Sequence, residues 1–317
     1  MNKLKDDFIK YGLDQYIETF QRFHKDNFAE YEYKLSVLKS LLDKESINNV
    51  DRFLQLMLKL PLPSKDFQIR VKSFYNQEEL LQIQKEQEYK QNVINRYYEK
   101  YSLEGWEKLE VNVFKHHCGL KRLPKDVIKK LKDKLFIDGG AFWGDSMLIL
   151  SRYNPYKIIS FEPNSINFKH LSNTITNNRF TNFVESYQIG LFNKKEETLM
   201  SFISDQQNHG ASIVFSPYKA QQEKISLDAL DNLLEENKKE VGLIKLDVEG
   251  VGVNAIKGAK QTIKKYSPVI SCAIYHNPEE FFNIAPLISS YNTKYKFLIL
   301  PLSQDFILKE MTLLAWV

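Results

Sequence analysis

Before about residue 120 the apolar positions recur at intervals of three and four. Leu35, Leu38, Leu41 and Leu42, then Val50, Phe53, Leu54, Met57 and Leu58, follow the period of a helix with one buried face. Leu60-Pro61-Leu62-Pro63 ends that run, because proline has no amide hydrogen and restricts the residue before it. A second long helix is expected from about Gln77 to Tyr101, with Tyr89, Tyr97, Tyr98 and Tyr101 packing on neighbouring elements.

After Pro124 the period changes. Short apolar runs at Leu135–Asp138, Lys157–Phe161, Phe183–Gln188, Leu243–Leu246, Val269–Ile274, Tyr295–Leu300 and Met311–Val317 predict strands. Helical spacing separates most of them, at about Asp145–Tyr153, Ser165–Asn177, Leu227–Asn237, Val253–Lys265 and Glu279–Ser290. Strands alternating with helices predict an α/β fold with a mostly parallel sheet. The last two strands have no helix between them, so they are expected to be antiparallel. The chain thus divides into a helical region, residues 1–123, expected to serve as a cap, substrate-binding part or oligomerisation surface, and an α/β domain, residues 124–317.

Composition narrows the class. The 317 residues are 43% hydrophobic and 26% charged, as in a globular protein. No apolar run approaches the roughly 18 residues of a membrane span, and Met1–Lys10 lacks the apolar stretch of a signal peptide. Two cysteines, Cys118 and Cys272, offer neither a disulfide framework nor zinc-site spacing, so a cytoplasmic location is expected. The net charge of +4 is mild. Its basic excess lies before Lys134 and is spread out, which fits a solvated helical surface and not a nucleic-acid partner.

Three segments carry candidate chemistry. In Phe136-Ile137-Asp138-Gly139-Gly140-Ala141-Phe142-Trp143-Gly144-Asp145-Ser146 a strand runs through an acid into glycines, and a helix follows that Asp145 or Ser146 could cap. Glycines there allow a tight turn and close approach of a nucleoside. The next strand ends at Phe161-Glu162-Pro163, where a carboxylate can accept from ribose hydroxyls. Gly139, Gly140 and Gly144 do not make GxGxxG, so no pyrophosphate loop is present and S-adenosylmethionine fits better than NAD. In Leu243-Ile244-Lys245-Leu246-Asp247-Val248-Glu249-Gly250, strand alternation would deliver Lys245, Asp247 and Glu249 to one side, at the carboxyl end of the sheet where open α/β folds bind ligands. In Ser271-Cys272-Ala273-Ile274-Tyr275-His276-Asn277-Pro278 a strand ends at His276, which can titrate near neutral pH.

Together these segments resemble the FkbM family of S-adenosylmethionine-dependent methyltransferases, over roughly residues 134–317. The family's D-x-G-A-x-x-G, F-E-P and L-D are matched by Asp138–Gly144, Phe161-Glu162-Pro163 and Leu227-Asp228. Its I-K-x-D-x-E-G, G-A and P-x-I are matched by Ile244–Gly250, Gly258-Ala259 and Pro268-Val269-Ile270. A subgroup with a helical N-terminal extension also carries Y-H, as at Tyr275-His276. Departures stand at Val251-Gly252, where many members are polar, and at Leu300-Pro301, where some have Arg-His. The resemblance implies a class I methyltransferase (Rossmann-like) fold of seven strands, the last antiparallel. It also implies O-methyl transfer to a hydroxyl, often on a sugar or glycosylated product. Asp138, Gly139, Gly140, Ala141, Gly144, Glu162 and Pro163 would then line the cofactor site.

Methyl transfer needs an acceptor oxygen aligned with the sulfonium methyl and a base for its proton. His276 is the first choice of base and Asp247 the second, with Glu249 and Lys245 orienting the acceptor or holding Asp247 charged. A divalent metal, Mg²⁺, held by Asp247, Glu249 and the His276-Asn277 edge is a further possibility. A nucleic-acid methyltransferase is disfavoured, since Asp247-Val248-Glu249-Gly250 replaces the N/D-P-P-Y/F/W motif that adenine-N6 enzymes resemble one another in, and Cys272 lies mid-strand. The other rivals are a non-catalytic nucleoside-binding or assembly module and an NAD-dependent oxidoreductase. Acceptor selection is expected from the helical region and from the loop Gln206-Gln207-Asn208-His209-Gly210.

Overall fold

The computed structural model of the chain describes residues 13–62, 75–103, 109–202, 211–212, 214, 221–303, 308 and 310–317. The expected loop at 206–210 and the N-terminal segment at 1–10 lie outside them.

Three helices open the described chain: α1 (Leu13–Asp26), α2 (Phe28–Ser40) and α3 (Lys44–Lys59). Leu41 and Leu42, read as helical, instead form the joint between α2 and α3, and Asp43 caps α3 by accepting from the Ser46 amide at 2.8 Å. Helix α4 (Gln77–Lys100) begins with a reciprocal cap between Asn76 and Glu79. Its tyrosines do pack locally: Tyr97 donates to the Phe114 carbonyl at 2.7 Å and Tyr101 to the Leu148 carbonyl at 3.2 Å. Short helices α5 (Val111–Phe114) and α6 (Lys125–Lys129) lead into the sheet.

Seven strands form the main sheet: β1 (Leu135–Gly139), β2 (Lys157–Phe161), β3 (Val184–Tyr187), β8 (Val241–Leu246), β9 (Val269–Ala273), β10 (Lys296–Pro301) and β11 (Met311–Trp316). Their order is β10-β11-β9-β8-β1-β2-β3. All neighbours are parallel except β11, which inserts antiparallel between β9 and β10. Both faces of β1 and β8 are buried along their whole length, which is why their sequences read as unbroken apolar runs. Alternate residues serve different cores. Ile137, Ile244 and Ile270 face helices α1–α3, whereas Phe136, Leu243 and Val269 face the opposite layer with Leu109, Phe114 and Leu148.

The N-terminal helices therefore share a core with the sheet. Phe20 and Phe53 pack on Phe281, at 5.6 and 4.8 Å between ring centres. Helix α3 also bonds to the outermost strand β10. Ser46 Oγ accepts from the Ile299 amide at 3.0 Å and Asn49 Nδ2 donates to the Ile299 carbonyl at 2.9 Å.

The crossovers depart from expectation in three places. After β1 the helix α7 (Asp145–Leu150) gives way to a 3-10 turn, Ser151–Tyr153, while α8 (Ser165–Asn177) follows β2 as expected. Four strands form a second sheet, unforeseen from the sequence: β4 (Gly190–Phe192), β5 (Glu196–Phe202), β6 (Ala211–Ser212) and β7 (Gln221–Ala229), in the order β4-β7-β5-β6. The expected helix at Leu227–Asn237 is thus only α9 (Leu230–Leu233). The single helix expected at Val253–Lys265 is split into α10 (Gly252–Gly258) and α11 (Lys260–Tyr266). Gly258 there lies so close to the small sheet that a Cβ would come 1.8 Å from the Phe192 carbonyl oxygen. The last helix, α12 (Pro278–Tyr291), is capped by Asn277, whose side chain accepts from the Glu280 amide.

Candidate active site

At the carboxyl ends of β1, β2, β8 and β9 the turns converge. The glycine turn after β1 is tied to β2, since the amides of Gly140 and Ala141 both donate to the Phe161 carbonyl at 3.0 Å. Gly140 (φ 71°) and Gly144 (φ 93°) occupy left-handed backbone, which favours glycine. At Gly140 no other residue would fit, because a Cβ would meet the Asp247 carbonyl oxygen at 1.8 Å. Gly139 ends β1, and its carbonyl accepts from the Asp247 amide at 3.0 Å. The β1 and β8 turns are therefore pressed together.

Asp138 is fully buried. It accepts from Ser146 Oγ at 2.6 Å and pairs with Lys245 Nζ at 3.2 Å, the two residues being register partners on β1 and β8. Ser146 is thus a tether of Asp138 and not a helix cap. Lys245 Nζ also donates to the Gly140 carbonyl at 2.8 Å, so it holds the glycine turn. Burial opposes its charge, but Asp138 and Asp247 outweigh burial and raise its pKa. The alternation expected to align Lys245 with Asp247 and Glu249 stops at Leu246, where β8 ends, and Glu249 takes a positive φ of 51°. Lys245 consequently belongs to the turn-holding group, apart from the cluster of Asp247, Glu249 and His276.

Glu162 ends β2 with Pro163 after it. Its carboxylate accepts from the Phe142 amide at 2.9 Å and the Asn164 amide at 3.0 Å, which fixes it beside the glycine turn. Burial pushes its pKa up to about 7, against the pull of those amides. A ligand hydroxyl could still bond there, since each carboxylate oxygen has a second lone pair. Asp145 is likewise buried and raised to about 6 by burial, with Lys245 opposing.

Across the Gly140–Asp247 contact lies a second polar cluster. His276 is fully buried, with Nδ1 2.8 Å from Glu280 Oε2. Its Nε2 faces Asp247 Oδ1 at 3.5 Å and Glu249 Oε2 at 3.6 Å. Burial disfavours a charged imidazole, yet Glu280, Glu249 and Asp247 together hold its pKa up at about 9. Tyr16 of α1 donates to Glu249 Oε2 at 3.1 Å and stands edge-on to the His276 ring, 5.6 Å away. Ser212 of β6 donates to the Glu249 carbonyl at 2.8 Å. Asn277 Nδ2 donates to the Gly250 carbonyl at 2.9 Å, joining the β8 and β9 turns.

The structure thus brings Asp247, Glu249 and His276 together, and sets Asp138, Gly139, Gly140, Ala141, Gly144, Lys245, Glu162 and Pro163 around the adjoining turn. Three participants were missed in the sequence: Tyr16, Ser212 and Glu280. Only Glu280 had a signal, standing four residues after His276 at the start of a helix.

Among the described residues, no helix is long and apolar enough to cross a membrane. Comparison with curated protein sequences found no match. Among solved structures, the chain is similar to methyltransferase FkbM from Methylobacillus flagellatus KT, with a TM-score of 0.59 and 16% identity, covering 92% of this chain and 60% of that one. It is more distantly similar to Aeropyrum pernix fibrillarin in complex with S-adenosyl-L-methionine, at a TM-score of 0.40 and 10% identity over 63% of this chain and 73% of that one. A putative methyltransferase from Streptococcus mutans, in complex with SAH, gives a TM-score of 0.37 and 10% identity over 60% and 92%. Residues 138–302, just over half of the chain and spanning every turn described above, match the Methyltransferase FkbM domain, and the protein therefore belongs to the FkbM methyltransferase family.

Proposed function

We propose that the protein transfers a methyl group from S-adenosylmethionine to a hydroxyl of a sugar, glycan or glycosylated product. The observation that carries this reading is the contact of Gly140 with Asp247, which joins two polar clusters. On one side Glu162 would accept from the ribose hydroxyls of the cofactor, with Asp138 and the glycine turn beside its amino-acid part. On the other side the carboxylates of Asp247 and Glu249 would accept from hydroxyls of a polyol and hold one against the sulfonium methyl.

In the reaction the methyl carbon–sulfur bond breaks as the acceptor oxygen–carbon bond forms. The sulfur keeps the electron pair, giving neutral S-adenosylhomocysteine. The hydroxyl proton passes to the Asp247 carboxylate, which stands 3.5 Å from His276 Nε2 with no hydrogen bond between them. Proximity and alignment supply much of the rate, and that carboxylate supplies the base. Lys245 holds the turn and Glu249 orients the acceptor. A second reading of the same pocket, a divalent metal that takes up charge on the acceptor oxygen, is favoured by the mutual distance of its carboxylate and imidazole atoms, all within 4.8 Å.

We assign residues 1–123 the task of completing the acceptor pocket, supported by Tyr16 reaching Glu249. Two buried, unpaired thiols, Cys118 and Cys272, fit a reducing compartment such as the cytoplasm.

Calorimetric titration with S-adenosylmethionine, S-adenosylhomocysteine and NAD, for wild type and Glu162→Ala, tests the donor. Binding of the sulfur nucleosides alone, weakened in the variant, supports the reading and justifies an acceptor screen over sugars and glycosides. Folded protein that binds neither of them would sink it in favour of a non-catalytic module or an NAD enzyme.

A further inference from the structure

We propose that Asp247, Glu249 and His276 bind one divalent first-row metal ion of the Mn²⁺ type, ligated by the imidazole as well as by the two carboxylates. The binding stands on the geometry alone, whereas the ion's task, taking up charge on the acceptor oxygen, rests on the hydroxyl-methylation reading.

Distance decides between an ion and a hydrogen-bonded cluster. His276 Nε2 stands 3.5 Å from Asp247 Oδ1 and 3.6 Å from Glu249 Oε2. An N–H donating to a carboxylate would close to roughly 2.7–3.2 Å. Ligand atoms about 2.1 Å from a shared ion stand about 3 Å apart at right angles and about 4.2 Å apart when opposite. The two separations from His276 Nε2, 3.5 and 3.6 Å, fall between those limits, and all three atoms lie within 4.8 Å of one another.

Burial is the second observation. His276 is fully buried, and both its Nε2 and Asp247 Oδ1 lack a hydrogen-bond partner. An unpartnered polar atom in such a place is costly, and here two of them point into the same gap. Neighbouring groups hold these side chains in place around the gap. Glu280 Oε2 holds His276 Nδ1 at 2.8 Å, and its other oxygen accepts from the Gly252 amide at 2.6 Å. Tyr16 donates to Glu249 Oε2, the oxygen that faces His276, and leaves it a second lone pair. A carboxylate behind the imidazole fixes the ring and strengthens Nε2 as a ligand. The Asp247 and Glu249 side chains are 27% and 38% exposed, which leaves a path for the ion and open positions for a hydroxyl or water.

The donor set selects the ion. Mg²⁺ prefers oxygen ligands and keeps several waters. Carboxylates suit Mg²⁺ and Mn²⁺ alike, and an imidazole favours a first-row transition ion over Mg²⁺, so a site with both donor types fits Mn²⁺. The histidine is thus the feature that separates this site from a carboxylate-only magnesium site.

The test titrates Mn²⁺ into the full chain without cofactor and follows free Mn²⁺ by electron paramagnetic resonance. One ion per chain is expected, with a rise in melting temperature on binding. Affinity should fall at least tenfold in His276→Gln and in Asp247→Asn, and Mg²⁺ should compete more weakly in wild type than in His276→Gln. Circular dichroism identifies the folded variants, and the isosteric Asp247→Asn serves if His276→Gln does not fold. Folded wild type that binds no Mn²⁺, or binding unchanged in a folded variant, would overturn the proposal. Equal affinity for Mg²⁺ and Mn²⁺ in wild type would also overturn it. S-adenosylmethionine is titrated separately in chelator, so loss of the methyltransferase reading and loss of the metal site give different results.

Discussion

The Tyr16 phenol donates to Glu249 Oε2 at 3.1 Å, joining α1 to a turn 233 residues further along the chain. Burial and the Glu249 charge both raise the Tyr16 pKa well above its ordinary value, so the phenol stays a donor at all physiological pH values. A hydrogen bond to a charged group is worth about 1.5–3 kcal/mol. Tyr16→Phe keeps the ring packing on His276 and removes only that bond. Turnover should fall about tenfold or more, while calorimetric affinity for S-adenosylmethionine stays within about twofold of wild type. A variant with wild-type kcat would remove Tyr16 from the acceptor pocket.

Gly140 and Gly258 make a matched pair of tests. In each, an added Cβ would approach a carbonyl oxygen to 1.8 Å, at Asp247 and at Phe192 respectively. Gly140→Ala must push the β1 and β8 turns apart, and its φ of 71° adds backbone strain. We expect loss of cofactor binding together with several kcal/mol of stability, read by titration and urea denaturation. Gly258→Ala should lower stability comparably while the fraction that remains folded still binds cofactor. Equal binding by both variants would mean that the Gly140–Asp247 contact does not shape the donor pocket.

Lys245→Met leaves Asp138 fully buried without its cation. Breaking such a pair costs about 3–5 kcal/mol, because the remaining charge is uncompensated. The double variant Asp138→Asn/Lys245→Met should recover much of that loss in urea denaturation. If the two single changes simply add, the pair is not coupled as the geometry requires.

Glu162 sets a pH dependence. Its pKa of about 7 in the fold exceeds the ordinary 4.5, so the folded chain keeps a proton that the unfolded chain releases. Stability from this group is therefore lost as pH rises from about 4.5 to 7, by on the order of 3 kcal/mol in all. Glu162→Gln should flatten that slope in thermal melts between pH 5 and 8, and should weaken S-adenosylmethionine at least tenfold. A slope identical to wild type would show that burial does not perturb this carboxyl.

Much of the main sheet was legible because its strands are buried on both faces. Leu243–Leu246 and Val269–Ile274 read as strands without help from tertiary context. The small sheet was not. In β7 the buried residues Ile225, Leu227 and Ala229 do alternate, but Leu227, Leu230 and Leu234 also fall at helical spacing. That second pattern masked the first. Asp247, Glu249 and His276 could be placed at one edge of the sheet from the sequence because they stand at strand ends, where open α/β sheets bind ligands. The position of Lys245 beside Asp138 and the Gly140 carbonyl was not legible, since alternation was extended past Leu246 into a turn. Tyr16 left no trace in the sequence, because only the docking of α1 onto the sheet brings it to Glu249.

The bonds from Ser46 and Asn49 to Ile299 carry one more consequence. They occupy backbone groups of β10 that a further strand would otherwise use. An unprotected sheet edge invites pairing with other chains and aggregation. Helix α3 thus covers backbone groups of the β10 edge, and a fragment that begins after α3 should form sheet-paired aggregates where the intact chain does not.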